Sequence, residues 1–297
     1  MSAMRLVVAA VLAIAHARRP SSVTSFDRDA FSFDPSGRIL QLDYADVAAG
    51  RGALAVGVAT AEICVVCGAQ EGPSTEKVAL IDERHAASFA GLRADGAALV
   101  DVARGRAATE RLRSPSEAPP TRTLALAVAD ECYDKARGGG DRAYGCRFLV
   151  AGLGGLAPGD ARGPCLWSVG PGGDARRHAS GLVALGAGSH AAATALAGAP
   201  AARPLGAIAA IAAAVLASDG PRRAAAVVAL APDGAAGASG AARVWRATLR
   251  AGDLVLDGAG SPALSEAVGA AAGAALGLPP GGGEDPPPAG ATHKGAT

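Results

Sequence analysis

Aromatic side chains are scarce: two Trp, three Tyr and five Phe amount to 3% of 297 residues. Ala and Gly dominate instead, so intrinsic propensities are blurred and Ala-rich stretches do not sort themselves between core and surface. A charge excess of either sign is also missing. Lys and Arg number 28 against 27 acids, which leaves no electrostatic footprint for nucleic acid or an anionic membrane surface; the partners to expect are proteins. The five cysteines (64, 67, 132, 146 and 165) are odd in number and lack a framework spacing, which argues for free thiols in a reducing compartment. Cys64 and Cys67 have CxxC spacing, but inside the run EICVVC they point to opposite faces of a strand and read as core thiols. The five histidines (16, 85, 178, 190 and 293) have no ligand-like spacing, so neither a metal nor another cofactor is expected.

Half of the chain is apolar, enough to bury a substantial core in one large domain or two small ones. The apolar run LVVAAVLAIA within residues 1–17 is too short for a membrane span. With Arg5 before it and Ala15-His16-Ala17 after it, the segment has the layout of a secretory signal. An upstream start that merely extends the N-terminus is an equally open reading.

Strands are predicted over 53–59 and 62–67 as one hairpin, and over 77–81 and 85–92 as a second, joined by Asp82-Glu83-Arg84. The period then changes. An amphipathic helix is predicted from Ala94 to about Leu112, with Leu99, Val102 and Ala103 on one face and Asp95, Asp101 and Arg104 on another. A proline-broken loop spans 114–120, and a second helix runs from Thr123 to about Ala136 until Gly138-Gly139-Gly140 ends it. Strands return at 147–153, 164–169 and 182–185. Ala-rich helices follow from Ser189 and over 205–217, and a last strand pair is expected at 224–230 and 242–249. Strands, two helices, strands, two helices, strands: the order predicts an α+β fold, a four-layer αββα sandwich of two antiparallel sheets flanked by helix pairs, with a further helix at its N-terminus.

That N-terminal helix follows the stretch FDRDAFSFDPSGRILQLDYA, residues 26–45. Pro35 fixes φ, Gly37 permits positive φ, and Asp34 or Ser36 offers an acceptor to the free amides of a helix beginning near Arg38. Leu40, Tyr44 and Val47 share one face of it, with Ile39 and Leu42 flanking, while Asp43 and Asp46 face outward; the pattern suits a sheet edge or a neighbouring subunit. A local cap and hydrophobic staple would serve the same residues without any further role. Arg176-Arg177-His178 reads as a solvated cluster in a Gly-rich turn. The glycine run GLGGLAPG lacks the helix and acidic residue that a nucleotide site needs.

FDRDAFSFDPSGRILQLDYADVAAGRG resembles the N-terminal signature of α-type subunits of the proteasome core particle: aromatic-Asp-Arg, a Pro-x-Gly-Arg turn, then Gln-hydrophobic-acid-Tyr-Ala. SFAGLRADGAALVDVARGRA, TLALAVADECYDKA and DRAYGCRFLVAGLGG are similar to later parts of the family, in order. The resemblance implies a non-catalytic member of the N-terminal nucleophile hydrolase superfamily, a structural and gating subunit supporting ubiquitin-dependent protein degradation in cytoplasm and nucleus. Its implied partners are other α-type subunits in a heptameric ring, β-type ring subunits, and a regulatory particle or activator. The residues matching the family's gate and ring contacts are Phe26, Asp27, Arg28, Pro35, Gly37 and Tyr44. Phe26 stands where Tyr is usual, which removes a hydroxyl but keeps a ring for packing.

Related β-type subunits use a Thr freed after Gly as nucleophile and base; here the junction reads Gly52-Ala53, and no Lys or Arg lies between Arg51 and Lys77. The family's pocket lysine for activator tails is likewise replaced near Gln70 and Glu71, so weak tail docking is expected at this pocket. Ala143 stands where the family has Pro. The implied organisation is an N-terminal extension over 1–25, the α-type domain over 26–257, an additional Ala-rich helix over 258–276 and a disordered tail over 277–297. A diverged N-terminal nucleophile hydrolase or peptidase, exported if residues 1–17 are a signal, is the alternative, and a stand-alone scaffold a third.

Overall fold

The structure, a computed structural model, describes residues 32–61, 63–70, 77–115, 117–138, 142–154, 163–198, 224–232, 242–250 and 253–257. In chain order the elements are α1 (Leu40–Arg51), β1 (Ala55–Ala59), β2 (Cys64–Gln70), β3 (Val78–Leu80), β4 (His85–Gly91), α2 (Arg93–Arg113), α3 (Thr121–Ala136), β5 (Cys146–Gly152), β6 (Cys165–Val169), β7 (Ala175–Arg177), β8 (Leu182–Leu185), α4 (Ser189–Gly198), β9 (Ala224–Pro232), β10 (Ala242–Arg250) and β11 (Asp253–Asp257). The strands form two sheets, β11-β10-β9-β2-β1-β8 and β3-β4-β5-β6-β7, and every pairing is antiparallel.

Alternation along β4 and β5 explains how one sheet serves two cores. Leu149 and Ala151 on β5, with Ala86 and Ala90 on β4, pack into the space between the sheets. Phe148 and Val150, with Ala87 and Phe89, turn the other way, onto α2 and α3. Successive residues of a strand point to opposite faces, so a near-continuous apolar run is what a sheet covered on both sides requires. Phe89 lies directly opposite Phe148 in the register, and Leu99, Leu124, Val128 and Cys132 close over the pair. Truncating a fully buried Leu such as Leu99 or Leu124 to Ala costs about 2–5 kcal/mol. In the inter-sheet layer small residues let the sheets approach closely. A Cβ added at Gly57 would stand 3.0 Å from side-chain atoms of both Leu149 and Val183. The Ser88 hydroxyl in that layer donates to the Cys67 carbonyl across the sheets at 3.2 Å, which satisfies a polar group that water cannot reach.

The helix boundaries follow from their punctuation. Pro115 denies helical backbone to Ser114, where α2 stops. Pro120, at φ −61, precedes the first turn of α3, where its missing N–H is no loss. Gly138, at φ 85, follows its end. The helices α2 and α3 pack on each other and on the five-stranded sheet, whereas α4 lies against β8 and β1 of the other. The arrangement is the expected α+β sandwich of two antiparallel sheets with helices outside. The expected helix over 205–217, the 1–25 extension, the 258–276 helix and the 277–297 tail fall outside the described residues.

Two strands were not legible. The segment Ala175–Arg177, expected as turn, is an edge strand pairing with β6, and Asp253–Asp257 adds an edge to β10. Ala175-Arg176-Arg177 has no apolar alternation, and Leu254-Val255-Leu256 is a continuous run of three between two aspartates.

Candidate functional site

The turn before α1 is built around one carboxylate. Asp34 Oδ1 accepts from the Ser36 amide at 2.9 Å, the Ser36 hydroxyl at 2.7 Å and the Arg38 amide at 2.8 Å. The Asp34 carbonyl accepts from Gly37 N–H at 2.9 Å, and Gly37 takes φ 82, open to a residue without Cβ. The Ser36 hydroxyl bond, followed by the Arg38 amide, holds the Asp34 carboxyl below its ordinary range. The cap expected from this motif is therefore a turn lock instead: Asp34 serves the turn and Ser36 donates to it. The helix itself begins at Leu40, with Ile39 as an N-cap that makes no side-chain cap bond. Arg38 reaches forward, Nε to Asp43 Oδ2 at 2.7 Å, and ties the turn to the first helical turn.

Of the two settings expected for the Tyr44 and Val47 row, the sheet edge is not the one found: another face of α1 meets the protein. Ala45 and Ala49 are its buried residues, and Ala45 packs with Ala136, Ala143 and the half-buried Leu42. Tyr44 is 52% and Val47 50% exposed, and Phe33 ahead of the turn is 65% exposed. Residues 42, 45 and 49 share a stripe at helical spacing, while 44 and 47 lie on another side. The alanines win because α1 sits close against β4, β5 and the residues leading into β5, where a methyl group fits. The result is a helix seated by its small side and presenting Tyr44 and Val47 outward. Among the expected gate residues, Pro35 lies exposed in the turn, Gly37 shapes it and Tyr44 is on the outward face. Phe26, Asp27 and Arg28 lie outside the described residues, as does Glu71; Gln70 ends β2.

Immediately after α1, the Gly52-Ala53 junction is closed. A Cβ on Gly52 would run into the backbone of Gly91, the Gly52 carbonyl accepts from Ala187 N–H at 2.8 Å, and Ala53 is buried. The place carries neither a hydroxyl nor a free amine.

Asp95 is the residue that the sequence pattern misplaced. Expected on the outer face of α2, it is only 6% exposed. Its Oδ2 and Oδ1 accept from Arg142 Nη1 and Nη2 at 2.6 and 2.8 Å, and Oδ2 also accepts from the Gly145 amide at 2.8 Å. Burial pushes its carboxyl up, but the Arg142 and Gly145 hydrogen bonds outweigh this and hold it below the ordinary value. The signal was in the spacing: 95, 99, 103 and 107 recur every fourth residue, and Leu99, Ala103 and Ala107 are all buried. A charged residue on the row of a buried stripe implies a partner.

Further polar groups among the described residues pair within the chain. A cleft of about 500 Å³ beside the β3–β4 turn is lined by Asp82, Glu83, Arg104 and Arg111 among others. There Arg104 donates to the Leu80 carbonyl, Arg111 pairs with Glu83 and Asp82 pairs with His85 Nδ1 at 2.8 Å. Of the expected solvated cluster, Arg176 and Arg177 are exposed on β7, but His178 is half-buried and its Nε2 lies 2.8 Å from the Ser168 hydroxyl. None of the five cysteines is in a disulfide and all are buried, and burial pushes the Cys67 and Cys132 thiols up to about 12. Cys67 and Cys132 are therefore protonated at neutral pH.

The sequence profile described as "Proteasome subunit" matches residues 49–199, beginning near the end of α1. Proteasome subunit alpha of Halobacterium salinarum is 38% identical over 141 residues, 45% of this chain and 55% of the relative. Proteasome subunit alpha type-5 of Trypanosoma brucei brucei is 32% identical over 186 residues, 59% of this chain and 72% of the relative. The probable proteasome subunit alpha type-2 of Schizosaccharomyces pombe is 32% identical over 157 residues, 50% and 62% respectively. The chain thus spans about half the length of the halobacterial relative.

Proposed function

Because the chain belongs to the proteasome subunit family, we propose that it is a non-catalytic α-type ring subunit of the core particle, supporting ubiquitin-dependent protein degradation. It joins sibling subunits in a heptameric ring and stacks on a β-type ring. The observation that carries this reading is the seating of α1. The helix rests on Ala45 and Ala49 and leaves Tyr44 and Val47 outward, directly ahead of the Gly52-Ala53 junction that leads into β1, where Ala53 is buried and has no nucleophile. Half-exposed aromatic and aliphatic groups on a rigidly held helix are anchors of the kind that protein interfaces use. The Phe26-Asp27-Arg28 triplet ahead of this helix contributes to the gate that admits polypeptide, and the replacement of the pocket lysine near Gln70 and Glu71 makes activator tails dock weakly at this subunit. With that role goes a cytoplasmic and nuclear location.

The test is co-expression with sibling α-type chains followed by native mass spectrometry, comparing the natural chain with a Tyr44→Ala, Val47→Ala double variant. The natural chain enters multi-subunit rings, and the variant, unchanged in melting temperature, enters them less. A protomer that stays alone beside its siblings, or a double variant that assembles as well as the natural chain, would overturn the reading.

A further inference from the structure

The residues that seat α1 are not on α1. Between Arg142 and Arg147 the chain runs into β5, and alternate positions of this short segment meet the helix. Ala143 packs with Ala45. Gly145 lies so close to Ala48 that an added Cβ would stand 3.3 Å from the alanine's own Cβ. Arg147 pairs with Asp46. The segment is a saddle under α1, and its backbone is fixed from the other side by a single carboxylate at the start of α2. Asp95 holds the Arg142 fork with both oxygens and the Gly145 amide with one. The Gly145 carbonyl in turn accepts from Leu92 N–H at 3.0 Å, and Arg142 Nη1 folds back onto the Ala143 carbonyl at 3.0 Å. Both residues that touch the helix with small groups, 143 and 145, are thus pinned by bonds that originate at Asp95 or its partner.

We infer that Asp95 is a positioning residue for assembly: through Arg142 and Gly145 it fixes the 142–147 saddle, and the saddle sets the pose in which α1 presents Tyr44 and Val47. The inference rests on the proposed ring function for its consequence, but not for its mechanism. The carboxylate touches neither α1 nor any surface a partner would reach, so its effect on assembly is indirect. A buried carboxylate that loses its charge leaves the Arg142 fork and the Gly145 amide with weaker acceptors, and local opening then becomes easier in the element that those groups support.

The experiment measures amide hydrogen exchange by mass spectrometry on the full chain, natural and Asp95→Asn, Arg142→Ala or Arg142→Lys, together with incorporation into co-expressed rings. Residues 40–51 should exchange about tenfold faster in Asp95→Asn and Arg142→Ala, residues 55–70 of the β1–β2 hairpin should not change, and Arg142→Lys should recover part of the loss. Arg142 is 59% exposed, so Arg142→Ala leaves no cavity and carries the test even if Asp95→Asn does not fold. Unchanged exchange over 40–51, or an equal rise over 40–51 and 55–70, would overturn the inference. Faster exchange in α1 with undiminished incorporation would uphold the positioning role and sink the ring-contact reading of α1 instead.

Discussion

Arg147 at the start of β5 grips Asp46 of α1 with two nitrogens, each 3.1 Å from a separate carboxylate oxygen. The geometry is that of a fork on a carboxylate, yet both side chains stay close to half exposed, at 44% and 47%. Exposed pairs contribute about 0–1 kcal/mol because water and salt screen them. Asp46→Ala or Arg147→Ala should therefore lower stability in urea by no more than about 1 kcal/mol, with a difference that shrinks as salt is raised. A larger and salt-independent loss would mean that the pair is a structural pillar of the α1 seat.

The alanine face of α1 makes a sharper demand. Ala49 has no exposed surface, and the helix closes on β4 and β5 there. Ala49→Leu inserts three extra carbons where none fit and should cost about 1–3 kcal/mol in a urea titration. Val47→Leu on the outward side should change stability by less than about 0.5 kcal/mol. Reversal of that order would show that the helix has been assigned the wrong inner face.

Restoring a hydroxyl at the strand start should not restore hydrolysis. Ala53→Thr in the full chain keeps its peptide bond to Gly52, whose carbonyl is engaged by Ala187 and whose α-carbon abuts Gly91. Without a freed amine to take the proton, the threonine has no base. Fluorogenic peptides should show no turnover above that of the unaltered chain; sustained turnover would revive the hydrolase alternative.

Acid should act through Asp95. Its carboxyl is held below the ordinary value of 3.8, so folding stability from the clamp is fully present above that value and is lost as pH falls through the folded-state pKa. Asp34 and Asp82 are shifted in the same direction and contribute to the same acid slope. The fall in urea midpoint between about pH 5 and about pH 3 should thus be smaller, but not absent, in Asp95→Asn. Equal slopes in the two proteins would show that the clamp does not discriminate between protonation states.

How much of this was legible in the sequence depended on how loudly each residue spoke. The hairpins of β1–β2 and β3–β4, the two long helices and the β9–β10 pair are framed by Gly, Pro or Asp and filled with Val, Leu and Phe, so period and punctuation agree. The α1 helix was legible as a helix, but which of two settings its Tyr44 and Val47 row would take was not; contact distance, which a sequence does not state, put the methyl groups of Ala45 and Ala49 against the sheet and left that row outward. Asp95 was misplaced for another reason. Its charge outweighed its position on the Leu99 row, and the partner that makes its burial tolerable is 47 residues away. The resemblance to proteasome α-type subunits could be traced from motif order alone, although the Phe26-Asp27-Arg28 triplet that opens it lies outside the described residues.

The five sequestered thiols give the molecule a built-in stopwatch. Cys132 and Cys146 sit in the layer between helices and sheet, and Cys64 sits between the two sheets, so an alkylating reagent reaches each only when its own layer parts. The order in which those sulfurs are captured records which half of the sandwich opens first, with no label to attach and no residue to replace.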